Sequence, residues 1–170
     1  MIIRVQLVLP LLAITMIAPI VLGMVSVGSP VPTFSIEDQF EKTWKKTNYT
    51  GKPALYVLCD RDAYDYVENW TKELVPKYKD KIHFIPVADV TTVPGFLKGY
   101  IRGRFKDEFK YPVLMDWEGV LVKGLNMKEG HPTLVLTDGS GIVKYRAWGK
   151  GSAEEVAKLE KKVSELTGSE

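Results

Sequence analysis

A single cysteine, Cys59, sets the limits on thiol chemistry in this 170-residue chain. Without a second thiol the chain can form no internal disulfide and cycle no dithiol, so any redox step at Cys59 must involve an external oxidant or partner thiol. Cys59 is followed by Asp60-Arg61-Asp62. A cysteine at the start of a helix, with Arg61 beside it to stabilise a thiolate, has the composition of a nucleophile or redox sensor. Asp60 and Asp62 oppose thiolate formation by charge. The alternative is a buried cysteine that fills the end of a strand, since free cysteine packs as a small apolar residue. Trp44, Trp117 and Trp148 have the aromatic area and polar tip to line a groove for a peptide or ligand, or else pack in the core. His83 falls in an apolar run and reads as a packing residue. Asn48-Tyr49-Thr50 and Asn69-Trp70-Thr71 match a glycosylation sequon that is short enough to arise by chance.

The elements that must position these residues follow from apolar spacing. Lys52-Pro53-Ala54-Leu55-Tyr56-Val57-Leu58-Cys59 is a continuous apolar run between Gly51 and Asp60, the pattern of a strand buried on both faces. Ala63, Tyr66, Val67, Trp70, Leu74 and Tyr78 recur at helical spacing, with Asp60 or Asp62 as cap and Pro76 expected to kink or shorten the last turn. A second buried strand is expected from Ile82 to Val90, and the short links imply a right-handed parallel crossover. Thr91 to Pro94 opens another amphipathic helix, with Leu97, Tyr100, Ile101, Arg104, Phe105 and Phe109 near one side and Lys98, Arg102, Lys106 and Lys110 on the other. A basic side of this kind suits contact with acidic lipid or a partner, but a solvated face is the commoner outcome and Asp107 and Glu108 dilute its charge. Tyr111 to Asp116 is a short extended piece, followed by a short helix through Leu125. Pro132 to Thr137 and Ile142 to Trp148 form an antiparallel hairpin about Asp138-Gly139-Ser140-Gly141. Ser152-Ala153-Glu154-Glu155 is a capping box that opens a helix with Val156, Leu159, Val163 and Leu166 facing inward.

Composition bounds the class. At 45% apolar and 26% charged residues, the chain is ordinary globular material with one domain. A formal charge of +2 with no basic run excludes a nucleic-acid surface. No cofactor-binding motif is present in the sequence. Val5 to Val27 is almost wholly apolar after Arg4, with Val21-Leu22-Gly23 and Ser26-Val27-Gly28 as candidate cleavage sites. At about 20 residues the segment also suits an uncleaved anchor, and Arg4 ahead of it orients the folded part outside the cytoplasm. The expected division is therefore residues 1–28 as signal peptide or membrane anchor and 29–170 as the folded domain, exported to a periplasm or cell exterior.

Specific segments resemble the redoxin branch of the thioredoxin-like superfamily. These are Gly28 to Ile36 as the entry segment, Gly51 to Leu55 at the start of the central strand, Tyr111 to Asp116 with Glu118-Gly119, and above all His131-Pro132-Thr133-Leu134-Val135 leading to Asp138-Gly139-Ser140-Gly141. The resemblance covers most of the chain after the apolar segment. It implies an α/β fold with a central mixed sheet flanked by helices, a cis bond before Pro132, and His131 facing the turn that holds Cys59. The departure is as specific: redox-active members carry Cys-x-x-Cys at the turn that here reads Asp60-Arg61-Asp62-Ala63. Peroxidase-type relatives place Thr three residues before their cysteine, where this chain has Tyr56.

Three readings follow. In the first, Cys59 has a single-thiol redox role, an oxidoreductase activity on thiols or peroxides if the protein is an enzyme, with Arg61, His131 and Pro132 around it and a protein thiol or peptide as partner. In the second, the fold is a non-catalytic binding or chaperone module. In the third, Cys59 and His131 carry a copper or zinc ion, for which further ligands would be needed.

Overall fold

The structure is a computed structural model that describes residues 25–168. Its centre is a five-stranded mixed sheet ordered β5-β4-β3-β6-β7, built from β3 (Ala54–Cys59), β4 (His83–Asp89), β5 (Leu114–Asp116), β6 (Thr133–Thr137) and β7 (Val143–Trp148). β3, β4 and β5 run parallel, while β6 and β7 are antiparallel to their neighbours. A small antiparallel pair, β1 (Ser35–Glu37) and β2 (Thr43–Lys45), precedes it. The helices are α1 (Val67–Thr71), α2 (Leu74–Tyr78), α3 (Lys98–Glu108), α4 (Val120–Gly124) and α5 (Ala153–Thr167).

Alternation along β3 explains the two layers. Tyr56 and Leu58 pack with Phe34, Ile85, Leu121 and Leu125 on one face. Leu55 and Val57 pack with Trp70, Leu74, Leu134 and Leu159 on the other. Both faces are covered, as the unbroken apolar run requires. The capping box at Ser152 and Glu155 forms as the sequence implies, and Val156, Leu159 and Val163 of α5 are buried.

The helix after β3 is shorter than its apolar spacing implies. It is two five-residue helices with a break at Lys72 and Glu73. Pro76 cannot donate an amide to the turn before it, so the interruption falls one turn ahead of the proline rather than in the last turn. Trp70 nevertheless reaches the core, and its indole N–H donates to the Gly149 carbonyl at 2.9 Å.

α3 is held differently from the other long helix, α5. None of its residues is buried; Ile101 and Phe105 lean on a small cluster around Val90 and Met115. Gly99 and Gly103 face open space. The Arg102 guanidinium ties the helix to β1 and the following turn through Glu37 and Glu41.

Val25, the first described residue, is already part of the packed domain. Val25 is 8% exposed and joins the core, its carbonyl accepts from Arg146, and the Gly28 amide donates to Val143 O at 2.8 Å. Cleavage after Gly28 would remove all three interactions, whereas the Val21-Leu22-Gly23 site lies outside the described residues. A chain beginning at Ser29 is therefore expected to be less stable than one beginning at Val25 by about 2–3 kcal/mol, from one buried side chain and two hydrogen bonds. Urea unfolding of the two truncations checks this, and equal midpoints would refute it.

Candidate binding cavity at the strand ends

Cys59 is the last residue of β3 and pairs in register with Ala88 of β4. Its thiol is half-buried on the wall of a cavity of about 790 Å³ that lies between the C-terminal ends of β3 and β4, the start of α1, and α3. Val67, Val93, Ile101, Phe105 and Met127 contribute apolar surface. The mouth is aromatic: Tyr64 meets Phe109 edge-to-face at 5.9 Å, and Phe109 meets Tyr111 at 5.6 Å. Tyr64 and Tyr111 are 44% and 56% exposed, so the cavity opens to solvent there. Crevices beyond the C-terminal ends of parallel strands are a recurrent place for ligands.

The surroundings work against a thiolate. Burial raises the Cys59 pKa to about 12, and the nearby carboxylates of Asp60 and Asp89 push in the same direction. Arg61 also lines the cavity, but its side chain is exposed and does not reverse that balance.

Asp60 is the residue that organises the turn. One carboxylate oxygen accepts the Ala63 amide at 2.8 Å, capping the chain into its first turn as the sequence implies. The other accepts the Gly130 amide at 2.7 Å, so Asp60 binds the loop before β6 to the loop after β3.

That loop differs from what the resemblance implies. The described residues contain no cis peptide bond, so the His131–Pro132 bond is trans. The loop reaches β6 by a different device. Gly130 adopts a left-handed φ of 71°, the His131 amide closes a turn onto Lys128 O at 3.2 Å, and the Thr133 hydroxyl accepts from the Lys128 amide. Those contacts hold the connection with the bond in the trans form that most X-Pro bonds prefer. Pro132 is buried, and its carbonyl accepts from Gly149. His131 does not line the cavity that holds Cys59; its ring nitrogen lies 3.3 Å from Glu129 O. Among the described residues no group of three or more His, Cys, Asp and Glu side chains is placed to hold a metal ion. The Cys59–His131 metal carrier therefore has no ligand set.

The tryptophans line no common groove. Trp44 donates to Asp38 at 2.8 Å and stacks on Tyr49, Trp117 packs beneath Lys98, and Trp148 lies under Lys128 on the surface. Of the sequon residues, Asn48 accepts the Lys45 amide and Asn69 donates to Lys150 O. One residue that shapes the cavity escaped sequence reasoning. Gln39 is fully buried, donates to Phe109 O and Tyr111 O, and accepts from the Val113 amide, fixing the aromatic mouth from a distant part of the chain. Its only signal was a lone amide within an otherwise charged turn.

Comparison with solved structures decides the architecture. The chain superposes with a TM-score of 0.65 on a structure assigned as the thiol:disulfide interchange protein DsbE from Chlorobium tepidum, at 20% identity, covering 85% of this chain and 99% of that one. The fold is thioredoxin-like. A structure assigned as a protein disulfide isomerase from Bacteroides thetaiotaomicron gives a TM-score of 0.64 at 19% identity, covering 85% of this chain and 92% of that one. The exposed lipoprotein thioredoxin of Streptococcus pneumoniae gives 0.59 at 19% identity, covering 76% and 98%. No family model and no curated relative matches the chain. The thioredoxin-like fold is thus present with one cysteine and without the Cys-x-x-Cys pair.

Proposed function

We propose that this protein is an extracytoplasmic thioredoxin-fold module that binds a ligand in the cavity at its strand ends without turning it over through a thiol. One observation carries the reading: the cavity is large, mainly apolar and open, yet the only thiol on its wall is held protonated by burial and two carboxylates. A volume of about 790 Å³ falls within the usual range for small-molecule sites. The export part of the reading is supported by the apolar segment after Arg4 and by structural neighbours described as a DsbE protein and an exposed lipoprotein thioredoxin. Among the described residues no helix is long and apolar enough to cross a membrane.

A neutral solvatochromic dye such as Nile red tests the cavity directly. Saturable binding of about one dye per chain is expected. It should weaken about tenfold or more in Ile101→Trp and in Val93→Trp, both confirmed folded by circular dichroism, and persist in Cys59→Ser. Absence of saturable binding would remove the proposal.

A second reading, a single-thiol redox role in which an external oxidant or partner thiol reacts at Cys59, is favoured by the position of that sulfur on the cavity wall. It requires a thiolate that this environment disfavours, and the thiol titration described below separates the two.

A further inference from the structure

The cavity has a charge as well as a shape. Asp60, Asp62, Asp89, Glu108 and Glu129 line it against a single cation, Arg61. The chain as a whole carries a formal charge of +2, so this negative patch is a local concentration and not a reflection of overall acidity. Of these carboxylates Glu108 stands beside the aromatic mouth, close enough to Tyr64 and Tyr111 to push both hydroxyls' pKa values up after burial has done so. There the Tyr64, Phe109 and Tyr111 rings contact one another in sequence. Carboxylates next to aromatic faces favour an organic cation, which gains both ion pairing and attraction to the ring quadrupoles.

We infer that the cavity takes a small cationic amphiphile, an alkyl- or arylammonium whose apolar part lies along Ile101, Phe105 and Val93 and whose cation sits at the Tyr64–Phe109–Tyr111 mouth against Glu108 and Asp62. The inference rests on the binding role proposed above and specifies its ligand. An extended peptide suits the site less well. β3 is already paired with β4 and β6, and β4 with β3 and β5, so the strands beneath the cavity offer no free ladder of backbone groups for a peptide to join. An amphiphile with a single polar end needs none.

The test is calorimetric titration of the intact chain with octyltrimethylammonium, octanol and octanoate, each below its micelle concentration. Octyltrimethylammonium should bind at least about tenfold more tightly than octanoate. That preference should shrink with added salt and in a Glu108→Gln, Asp62→Asn double variant. Ile101→Trp, checked for folding, should weaken all three ligands together. Equal affinities for the three ligands would overturn the cation assignment and leave the binding role standing; no binding by any of them would overturn both. Octyltrimethylammonium binding that is undiminished in Ile101→Trp would place the cation outside the cavity and refute the inference. Tighter binding by a short lysine-bearing apolar peptide than by octyltrimethylammonium would refute it in favour of a polypeptide ligand.

Discussion

At pH 7, Cys59 is expected to react with iodoacetamide at least about fiftyfold more slowly than an unburied cysteine. Its thiol is raised from 9.0 to about 12, which lowers the thiolate fraction about a thousandfold. A more basic sulfur is a better nucleophile and recovers about twentyfold of that loss, and restricted access to the half-buried atom acts in the other direction. The rate should climb past pH 9 without levelling. The same shift links to stability. Above pH 9 the unfolded thiol ionises while the folded one stays protonated, so stability falls as pH rises from about 9 towards 12, and below 9 the group contributes no pH dependence. Burial raises Tyr49, Tyr56, Tyr64 and Tyr111 as well, so they add to the decline over the same window. The decisive measurement is therefore the difference between wild type and Cys59→Ala, in which the decline should be shallower. A labelling profile that levels off near pH 7 would instead establish a reactive thiolate and restore the redox reading.

Replacing Asp116 by Ala is expected to cost about 3–4 kcal/mol. The side chain is 1% exposed at the end of β5, and its two oxygens accept the amides of Val120, Leu121 and Val122 at 2.8–2.9 Å. These are amides of the first turn of α4, which have no intrahelical partner of their own. Alanine leaves them without their acceptor next to the fully buried Leu121, where each lost charge-assisted bond costs more than an exposed cap would. Asp116→Asn keeps one acceptor oxygen and should recover part of the loss, since its amide group turns a donor towards donors. Urea unfolding of both variants gives the ordering. An Ala variant within about 1 kcal/mol of wild type would show that water replaces the carboxylate at no great cost.

What the sequence made legible was local. The buried run of β3, the strand over β4, the hairpin at Asp138 and the capping box of α5 each depend on neighbours in the chain, and each is present. The Asp60 cap was readable for the same reason, whereas its second bond, to Gly130, joins residues 70 apart and carries no pattern. The β1–β2 pair and the Gln39 clip were missed because three-residue strands and single side-chain contacts to remote carbonyls leave no periodicity. His131 and the bond before Pro132 were expected from resemblance rather than from their own surroundings. The Gly130 turn and the Thr133 hydroxyl give that loop a course of its own. Cys59 was visible as a question. Its answer needed the burial that the fold imposes on the thiol, to which the carboxylate of Asp89, arriving from the neighbouring strand, adds after that of Asp60.

The weak anchoring of α3 has a consequence for amide exchange. With no buried residue, with Gly99 and Gly103 lowering its helix propensity by about 1 kcal/mol each, and with much of its attachment made by surface ion pairs, α3 belongs at the low end of the local-stability range. Its amides should exchange through opening of that helix alone, long before those of β3 and β6, which open only when the whole sheet does. Because α3 is also a wall of the cavity, a ligand held there would be registered mainly as slowed exchange along one helix, with little change in the average structure.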